Sequence, residues 1–410
     1  MGMNLATLAS KLPPSMQRAA VSLFGQHSAL FRMRLRAKGL HKLPIPAPTL
    51  LQDEDTRVYI APLNVAGQAR LWASALNTHC VDTSAAHMMA PAATTIRLTS
   101  DRPVPLGAFH LSREWQRNEF SVAQSATHVL NESLRPMFGG LYGYQAEREI
   151  RALRAQGVSV AVLAHGSDFR SPALSRSRTP WSPFHNTEHQ PEIARLQQIA
   201  DSNMRRLRDL DVSVFVSTPD QLADIPEAVW VPLVVDATPW VDASQPLRIE
   251  GRPRVTHVPS KGWLKGTGLI APAMESLASR GVVDYHPLSG LSHDQMPAAL
   301  GSADIVLEQF GVGSYGVTAV EAMASGRVVV AHILPDVRDH IRSLTGLDLP
   351  IVEATPVTLE ETIASLAADP ERRLRIGAAS QEFASAVHGG QLSARSFSEH
   401  WLNAGPVNRP

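Results

Sequence analysis

The sequence has a single cysteine, no excess of charge of either sign and no long apolar run. Each absence narrows what the chain can be. A lone Cys80 leaves no intramolecular disulfide and suits a reducing compartment, so a cytoplasmic chain is expected. With 38 basic residues against 38 acidic ones there is no bulk attraction to nucleic acid. No apolar stretch approaches the roughly 20 residues that cross a bilayer, and the amino-terminal segment lacks the continuous apolar core of a secretory signal. Internal repeats and low-complexity tracts are missing as well. What remains is a mixed α/β chain whose 410 residues are enough for two domains, each with its own core.

The most informative stretch runs from Ala303 to Gly326. The apolar run Ile305–Leu307 reads as a buried strand, and Val317 to Ala324 has helical apolar spacing that Gly326 stops. Between them, Gly311, Gly313 and Gly316 let the backbone approach a ligand, and the helix adds its free N–H groups and positive dipole end. Such a turn can hold a phosphate. Glu321, on the second turn of the helix, is expected to face outward near the same place. The glycines also fit G-x-G-x-x-G, the dinucleotide fingerprint, which requires a long helix and a second strand ending in an acid. Here the helix is short, the next strand closes on His332 and the first acid is Asp336, so that reading is weak. A plain tight turn between strand and helix is the other alternative.

Further residues follow the same pattern of polar groups at strand ends. Val158–Ala164 is a near-continuous apolar run, typical of a strand buried on both faces, and it empties into His165-Gly166-Ser167-Asp168-Phe169-Arg170. Arg57–Pro62 reads as a first strand, with Leu63-Asn64-Val65-Ala66-Gly67-Gln68 turning into a helix from Ala69 to Leu76. Residues 79–122 read as a region of short strands, and Val216-Ser217-Thr218-Pro219-Asp220, His257-Val258-Pro259-Ser260 and Lys265-Gly266-Thr267 follow later in the chain.

In this order and spacing, together with Glu308-Gln309, Tyr315-Gly316 and Val320-Glu321-Ala322-Met323-Ala324, these motifs resemble GT-B glycosyltransferases of the retaining, family 4-like group. The resemblance spans most of residues 56–400. It implies an α/β chain of GT-B architecture, with two Rossmann-like domains facing each other across a cleft, plus a basic N-terminal extension. The boundaries expected are 1–54 for the extension, 55–240 for an acceptor domain and 241–395 for a nucleotide-sugar domain. Residues 396–410 would supply a helix returning to the first domain, and a tail.

The resemblance also implies roles. Lys265 would neutralise the leaving diphosphate, and the backbone from Gly313 and Ser314 through Tyr315, Gly316, Val317 and Thr318 would hold it. Glu321 would take the ribose hydroxyls, and the loop Pro287–Leu291 would seat the base. His165 would hydrogen-bond a sugar hydroxyl or the transferred oxygen, with Asn64, Gly67, Gln68, Asp168 and Arg170 lining the acceptor side. Asp168 and Arg170 would either orient hydroxyls or pair with each other.

The sequence departs from the family twice. The acidic pair of the group is Glu-x7-Glu, and counting back from Glu321 lands on Gly313; some relatives carry Asp-Gln where Glu308-Gln309 stands, which makes Glu308 the expected substitute on the donor sugar. An Arg common six residues before the phosphate-binding Lys is Pro259 here, leaving Lys261 and Arg254 as candidate second cations.

The implied reaction is sugar transfer from a UDP- or GDP-sugar to a hydroxyl acceptor, a glycan or glycolipid, with retention of configuration. No cofactor and no metal are implied, since neither a DxD-type pair nor a ligand cluster stands out. His185 and His189 have the spacing of metal ligands on a helix, but nothing accompanies them. The alternative is a catalytically silent GT-B subunit with a binding or accessory role, which the two departures favour. A sugar-nucleotide epimerase of this fold would need acids and histidines that do not pair convincingly.

Outside the domains, Lys11, Arg18, Arg32, Arg34, Arg36, Lys38 and Lys42 precede the first acid, Asp53, interspersed with Leu, Val and Phe. Residues 1–42 could therefore lie on an anionic membrane surface and serve a lipid-linked acceptor, or simply pack on the body. Pro44, Pro46 and Pro48 read as a stiff connector.

Overall fold

The computed structural model of the protein describes residues 28–91 and 101–403. Most of the basic extension (1–27), part of an expected run of short strands (92–100) and the end of the tail (404–410) lie outside the described residues.

Strands β1 (Thr56–Ala61), β2 (Thr83–His87), β3 (His128–Glu132), β4 (Ser159–Ala164), β5 (Ser213–Val216) and β6 (Val229–Trp230) form a first sheet, ordered β2-β1-β3-β4-β5-β6. Strands β7 (Arg254–His257), β8 (Asp284–Pro287), β9 (Ile305–Leu307), β10 (Val328–Ala331) and β11 (Val352–Glu353) form a second, ordered β11-β10-β9-β7-β8. All ladders in both sheets are parallel. Parallel sheets need helices on both faces, and the alternation in β9 shows how that is met. Ile305 and Leu307 pack with Ile270, Met274 and Ile363 on one face, while Val306 packs with Ala319 and Met323 on the other.

Chain order reverses between β1 and β3 in the first sheet and between β7 and β9 in the second. Ligands of doubly wound sheets sit beyond the carboxyl ends of the strands at such reversals. The glycine turn leaves β9, His165 leaves β4 next to β3, and the Asn64–Gly67 turn leaves β1, so the sequence motifs collect at these two places.

One expectation is corrected. Residues 79–122, read as short strands, contain a strand at Thr83–His87 but helices at Leu106–Leu111 and Arg113–Ser125. The second helix is capped by Ser112, whose Oγ accepts from the Trp115 N–H at 3.1 Å. Its buried residues Trp115, Gln116, Glu119, Phe120 and Ala123 recur with helical period, and two of them are polar, which hides the stripe from an apolar count.

Two segments join the lobes. One is the linker after β6, which contains the short helix Thr238–Asp242. The other is the chain after the helix Pro370–His388: His388 donates from Nδ1 to the Leu233 carbonyl at 2.7 Å, Ser393 donates to the Pro232 carbonyl, and Trp401 donates to Ser159 Oγ. The return to the first lobe thus begins at His388, ahead of residue 396, where the sequence placed it.

Candidate functional site

The helix Val317–Ala324 has no side-chain cap at its start, so its first N–H groups stay available to a ligand. It ends in a Schellman turn, with Gly326 at φ 69° and the Arg327 N–H bonded back to the Ala322 carbonyl at 2.9 Å. At its amino end three chemical groups converge. A Cβ built on Gly316 would lie 3.6 Å from Glu308 Oε1 and 3.7 Å from Lys265 Nζ. Lys265 and Glu308 form a direct ion pair, with the Lys265 side chain 20% exposed and Glu308 fully covered. Glu308 Oε2 and Ser314 Oγ are buried and have no partner among the described residues. Buried polar atoms left unpaired in a native turn call for a ligand or water to complete them.

Lys265 is placed here by a neutral histidine. Burial drives His257 down to about 4; its Nδ1–H donates to the Leu307 carbonyl at 2.8 Å, so Nε2 accepts from Thr267 Oγ1 at 2.8 Å. That pair fixes the start of the helix Thr267–Ser279 directly behind Lys265-Gly266.

Next to this cluster lies a cavity of about 310 Å³ between the lobes. Val317, Val320, Glu321 and His293 line it from the second lobe, and Ala66, Gln68 and Arg70 from the first. Its size is at the lower end for small-molecule sites. Glu321 does not face outward as expected: it is 4% exposed and points at this cavity, with His293 Nδ1 at 3.7 Å from its Oε1. The reason is that Trp240 of the linker helix and His293, packed edge to face, cover the second turn of its helix. Burial pushes the Glu321 carboxyl well above its ordinary 4.5 and lowers His293, in each case disfavouring the charged form. Arg70 makes no ion pair with another described residue, and its Nε is buried without a partner.

The first lobe organises its edge around one carboxylate. Glu132, at the end of β3, is buried and accepts from the Leu63 N–H at 2.6 Å and the Asn64 N–H at 3.1 Å. His165 Nε2 lies 2.8 Å from its Oε1, and the imidazole stacks on Trp72 at a centroid distance of 5.8 Å.

The remaining expected site residues take other roles. Gln68 is spent on the fold, its amide bonded in both directions to the Val234 backbone, at 3.0 and 2.8 Å. Asp168 and Arg170 do not pair with each other: Asp168 meets Arg135 at 2.9 Å, and Arg170 meets the buried Asp220 at 2.7 Å. Tyr315 points into the core, its hydroxyl 3.2 Å from His388 Nε2, so it ties the glycine turn to the chain returning to the first lobe. Asn64 is fully buried with φ 51° and donates to Asp101 at 2.8 Å, so its side chain does not line the cleft. Gly67 adopts φ 75° at the head of the helix Gln68–His79. Val317 lines the cavity, Thr318 is half-buried beside it, and Gly313 and Ser314 are covered.

Neither candidate second cation stands at the site. Arg254 begins β7, at the opposite sheet edge, and is bonded to Asp304 at 2.8 Å, while Lys261 reaches Glu192 at 3.8 Å. His189 stacks on Trp263 at 4.5 Å, and among the described residues no group of His, Cys, Asp or Glu is arranged to hold a metal ion. Sequence reasoning missed Arg70 and Glu132. The only signal for Arg70 was a base three residues after a turn glycine, and for Glu132 an acid closing an apolar strand.

No family model and no curated protein matches the chain. Solved structures do. Sucrose-phosphate synthase from Thermosynechococcus elongatus aligns over 84% of this chain and 98% of its own, with TM-score 0.51 and 12% identity. An alpha-glucosyltransferase in complex with UDP and a 13-mer DNA containing a central A:G mismatch aligns over 84% and 98%, with TM-score 0.50 and 12% identity. The chain therefore has the GT-B fold: two Rossmann-like domains, α/β, with a cleft between them.

Proposed function

We propose that the protein is a glycosyltransferase that moves a sugar from a nucleoside-diphosphate sugar to a hydroxyl acceptor. The observation that carries this reading is the convergence of the Lys265 ammonium, the helix amino terminus and Glu308 at Gly316, beside a cavity shared by both lobes. Charge builds on the departing diphosphate as the glycosidic bond breaks, and an ammonium and free N–H groups fixed in advance stabilise it there. Arg70, entering from the opposite lobe with no ion pair to another described residue, supplies the second cation that Pro259 withholds. Glu321 and His293, side by side at the cavity, suit the two hydroxyls of a ribose, which donate and accept. Uridine or guanosine diphosphate is the expected carrier; the alpha-glucosyltransferase of the same fold is described with UDP. Retention of configuration, with the acceptor proton leaving on the phosphate, fits a site with little nucleophile of its own.

The test is a thermal-shift panel of UDP, GDP and their sugars, in which a true ligand raises the melting temperature by mass action. Glu321→Ala and Arg70→Ala should each abolish the shift. An undiminished shift in both variants would remove the nucleotide from this cavity.

The silent-subunit reading has one observation in its favour: Lys265 and Glu308 neutralise each other. Donor binding without release of nucleoside diphosphate would decide for it.

A membrane-associated acceptor is a further part of the proposal. Among the described residues no helix is long and apolar enough to cross a membrane. The helix Ala29–Ala37 and the segment after it expose Met33 (53%), Leu43 (51%) and Ile45 (43%) beside Arg34, Arg36, Lys38 and Lys42. Such a surface suits a cytoplasmic protein lying on an anionic leaflet, each basic residue contributing about 1 kcal/mol. Reversing Arg34 and Arg36 to Glu should lower co-sedimentation with phosphatidylglycerol vesicles at least about tenfold, and leave a soluble-acceptor assay unchanged.

A further inference from the structure

We infer that Glu132 is the positioning residue of the first lobe: its carboxylate fixes which nitrogen of His165 faces the substrate. The inference rests on the reading of the site as one for sugar transfer, and it adds a residue with a defined task.

The carboxylate is saturated in an unequal way. Oε2 takes the Leu63 N–H at 2.6 Å and the Asn64 N–H at 3.1 Å, while Oε1 takes His165 Nε2 at 2.8 Å and a longer approach from Asn64 at 3.2 Å. An ionised carboxylate only accepts, so Nε2 of His165 carries a proton, and in the neutral ring Nδ1 then carries the lone pair. Among the described residues Nδ1 has no partner, and it is not one of the buried unpaired atoms; it opens at the carboxyl edge of the sheet, where ligands of this architecture sit. Stacking on the buried Trp72 holds the ring plane. His165 is thereby presented as a hydrogen-bond acceptor alone. A substrate must offer it a hydroxyl, and an analogue deoxygenated at that position leaves Nδ1 unpaired and is rejected.

Glu132 acts on the facing turn too. Asn64 and Ala66 have φ of 51° and 49°, conformations that L-residues hold only when the surroundings impose them. The two N–H bonds to Glu132, with the Arg70 N–H donating to Asn64 Oδ1 at 3.1 Å, hold Asn64 in that conformation. Histidine and turn are therefore set by one side chain, and the turn delivers Arg70 to the cavity.

Glu132→Gln separates this role from a merely structural one. The two N–H groups of Leu63 and Asn64 require the amide oxygen on their side, which turns the amide NH2 toward His165 Nε2. The imidazole must then accept at Nε2 and carry its proton on Nδ1, the reverse of the wild type. In protein labelled with 15N-histidine, at alkaline pH, the wild-type His165 signals should report the Nε2–H tautomer and Glu132→Gln the Nδ1–H tautomer, with His165→Asn assigning the resonances. With UDP-glucose and GDP-mannose as donors, Glu132→Gln should lower kcat for nucleotide release at least about tenfold and leave KM unchanged. The double variant with His165→Asn should be no slower than the slower single variant.

An Nδ1–H tautomer in the wild type, or one that Glu132→Gln leaves unchanged, overturns the proposal. So do additive losses in the double variant. If Glu132→Gln fails to fold, the wild-type tautomer alone decides. Failure of UDP and GDP to shift the melting temperature of the wild type would instead count against the sugar-transfer reading and leave the tautomer result standing.

Discussion

Lys265→Ala is expected to slow nucleotide release by about 100- to 1,000-fold, or roughly 3–4 kcal/mol of transition-state stabilisation, the loss typical of removing one fixed charge-stabilising group. It should also destabilise the fold, for a separate reason. Glu308 is fully covered and its Oε2 is already unpaired, so deleting the ammonium leaves an isolated buried carboxylate. Breaking a buried pair from one side costs about 3–5 kcal/mol, and the partial exposure of Lys265 puts this case at the lower end. The two effects come apart in the double variant Lys265→Met with Glu308→Gln. No charge is then left unpaired, so urea unfolding should return close to wild type while turnover stays low. Turnover that recovers along with stability would mean that the ammonium serves the fold and not the reaction. The comparison matters because the ammonium already has a carboxylate partner. On the proposed function, a diphosphate arriving at Gly316 would compete with Glu308 for Lys265 and free that carboxylate for the sugar.

Strands and turns were open to reading in the sequence because they obey short-range rules. β4 and β9 are near-continuous apolar runs because helices cover both faces of a parallel sheet, and the glycine turn shows in the spacing of its glycines. Partnerships were not open in this way. Glu132 meets Leu63 and Asn64 across nearly 70 residues, and His165 across 33. Nothing local marks an acid that ends an apolar strand as the organiser of a site. Glu308 was legible as a polar residue at a strand end and Lys265 through the family resemblance, but their mutual pairing depends on β7 and β9 being neighbours, which is a property of the sheet order. Glu321 was legible as a site residue from its place on the helix. Its burial was not, because the cover comes from Trp240 and His293, both distant in sequence. Tyr315 and Gln68 show the converse: both stand inside motifs, yet Gln68 bonds the linker backbone at Val234 and Tyr315 meets His388 of the returning chain.

Gly313 occupies the position where the family resemblance calls for a carboxylate, and installing one there should fail. Gly313→Glu is expected to cost about 3 kcal/mol, read as a lower urea midpoint. Two causes add. The residue has φ 79°, where an L side chain costs about 1–2 kcal/mol. A Cβ would also fall 2.5 Å from Leu334 Cγ and 2.7 Å from its Cδ1, an overlap that forces shifts worth about 1–3 kcal/mol. Relief by backbone movement is blocked, because the Leu334 N–H donates to the Gly313 carbonyl at 2.9 Å and Leu334 is itself the cap of the helix Pro335–Thr345. Both causes act at Cβ, so Gly313→Ala should lose nearly as much stability as Gly313→Glu. Adding Leu334→Ala should give a total below the sum of the two single losses, since the neighbours share one overlap. Equal stability of Gly313→Glu and wild type would show that the turn tolerates a side chain, and the missing acid would then need another explanation. If the loss appears as expected, the turn has no room for the usual first carboxylate. Glu308, buried at Gly316 with one oxygen unpaired, is then the acid positioned to meet the donor sugar.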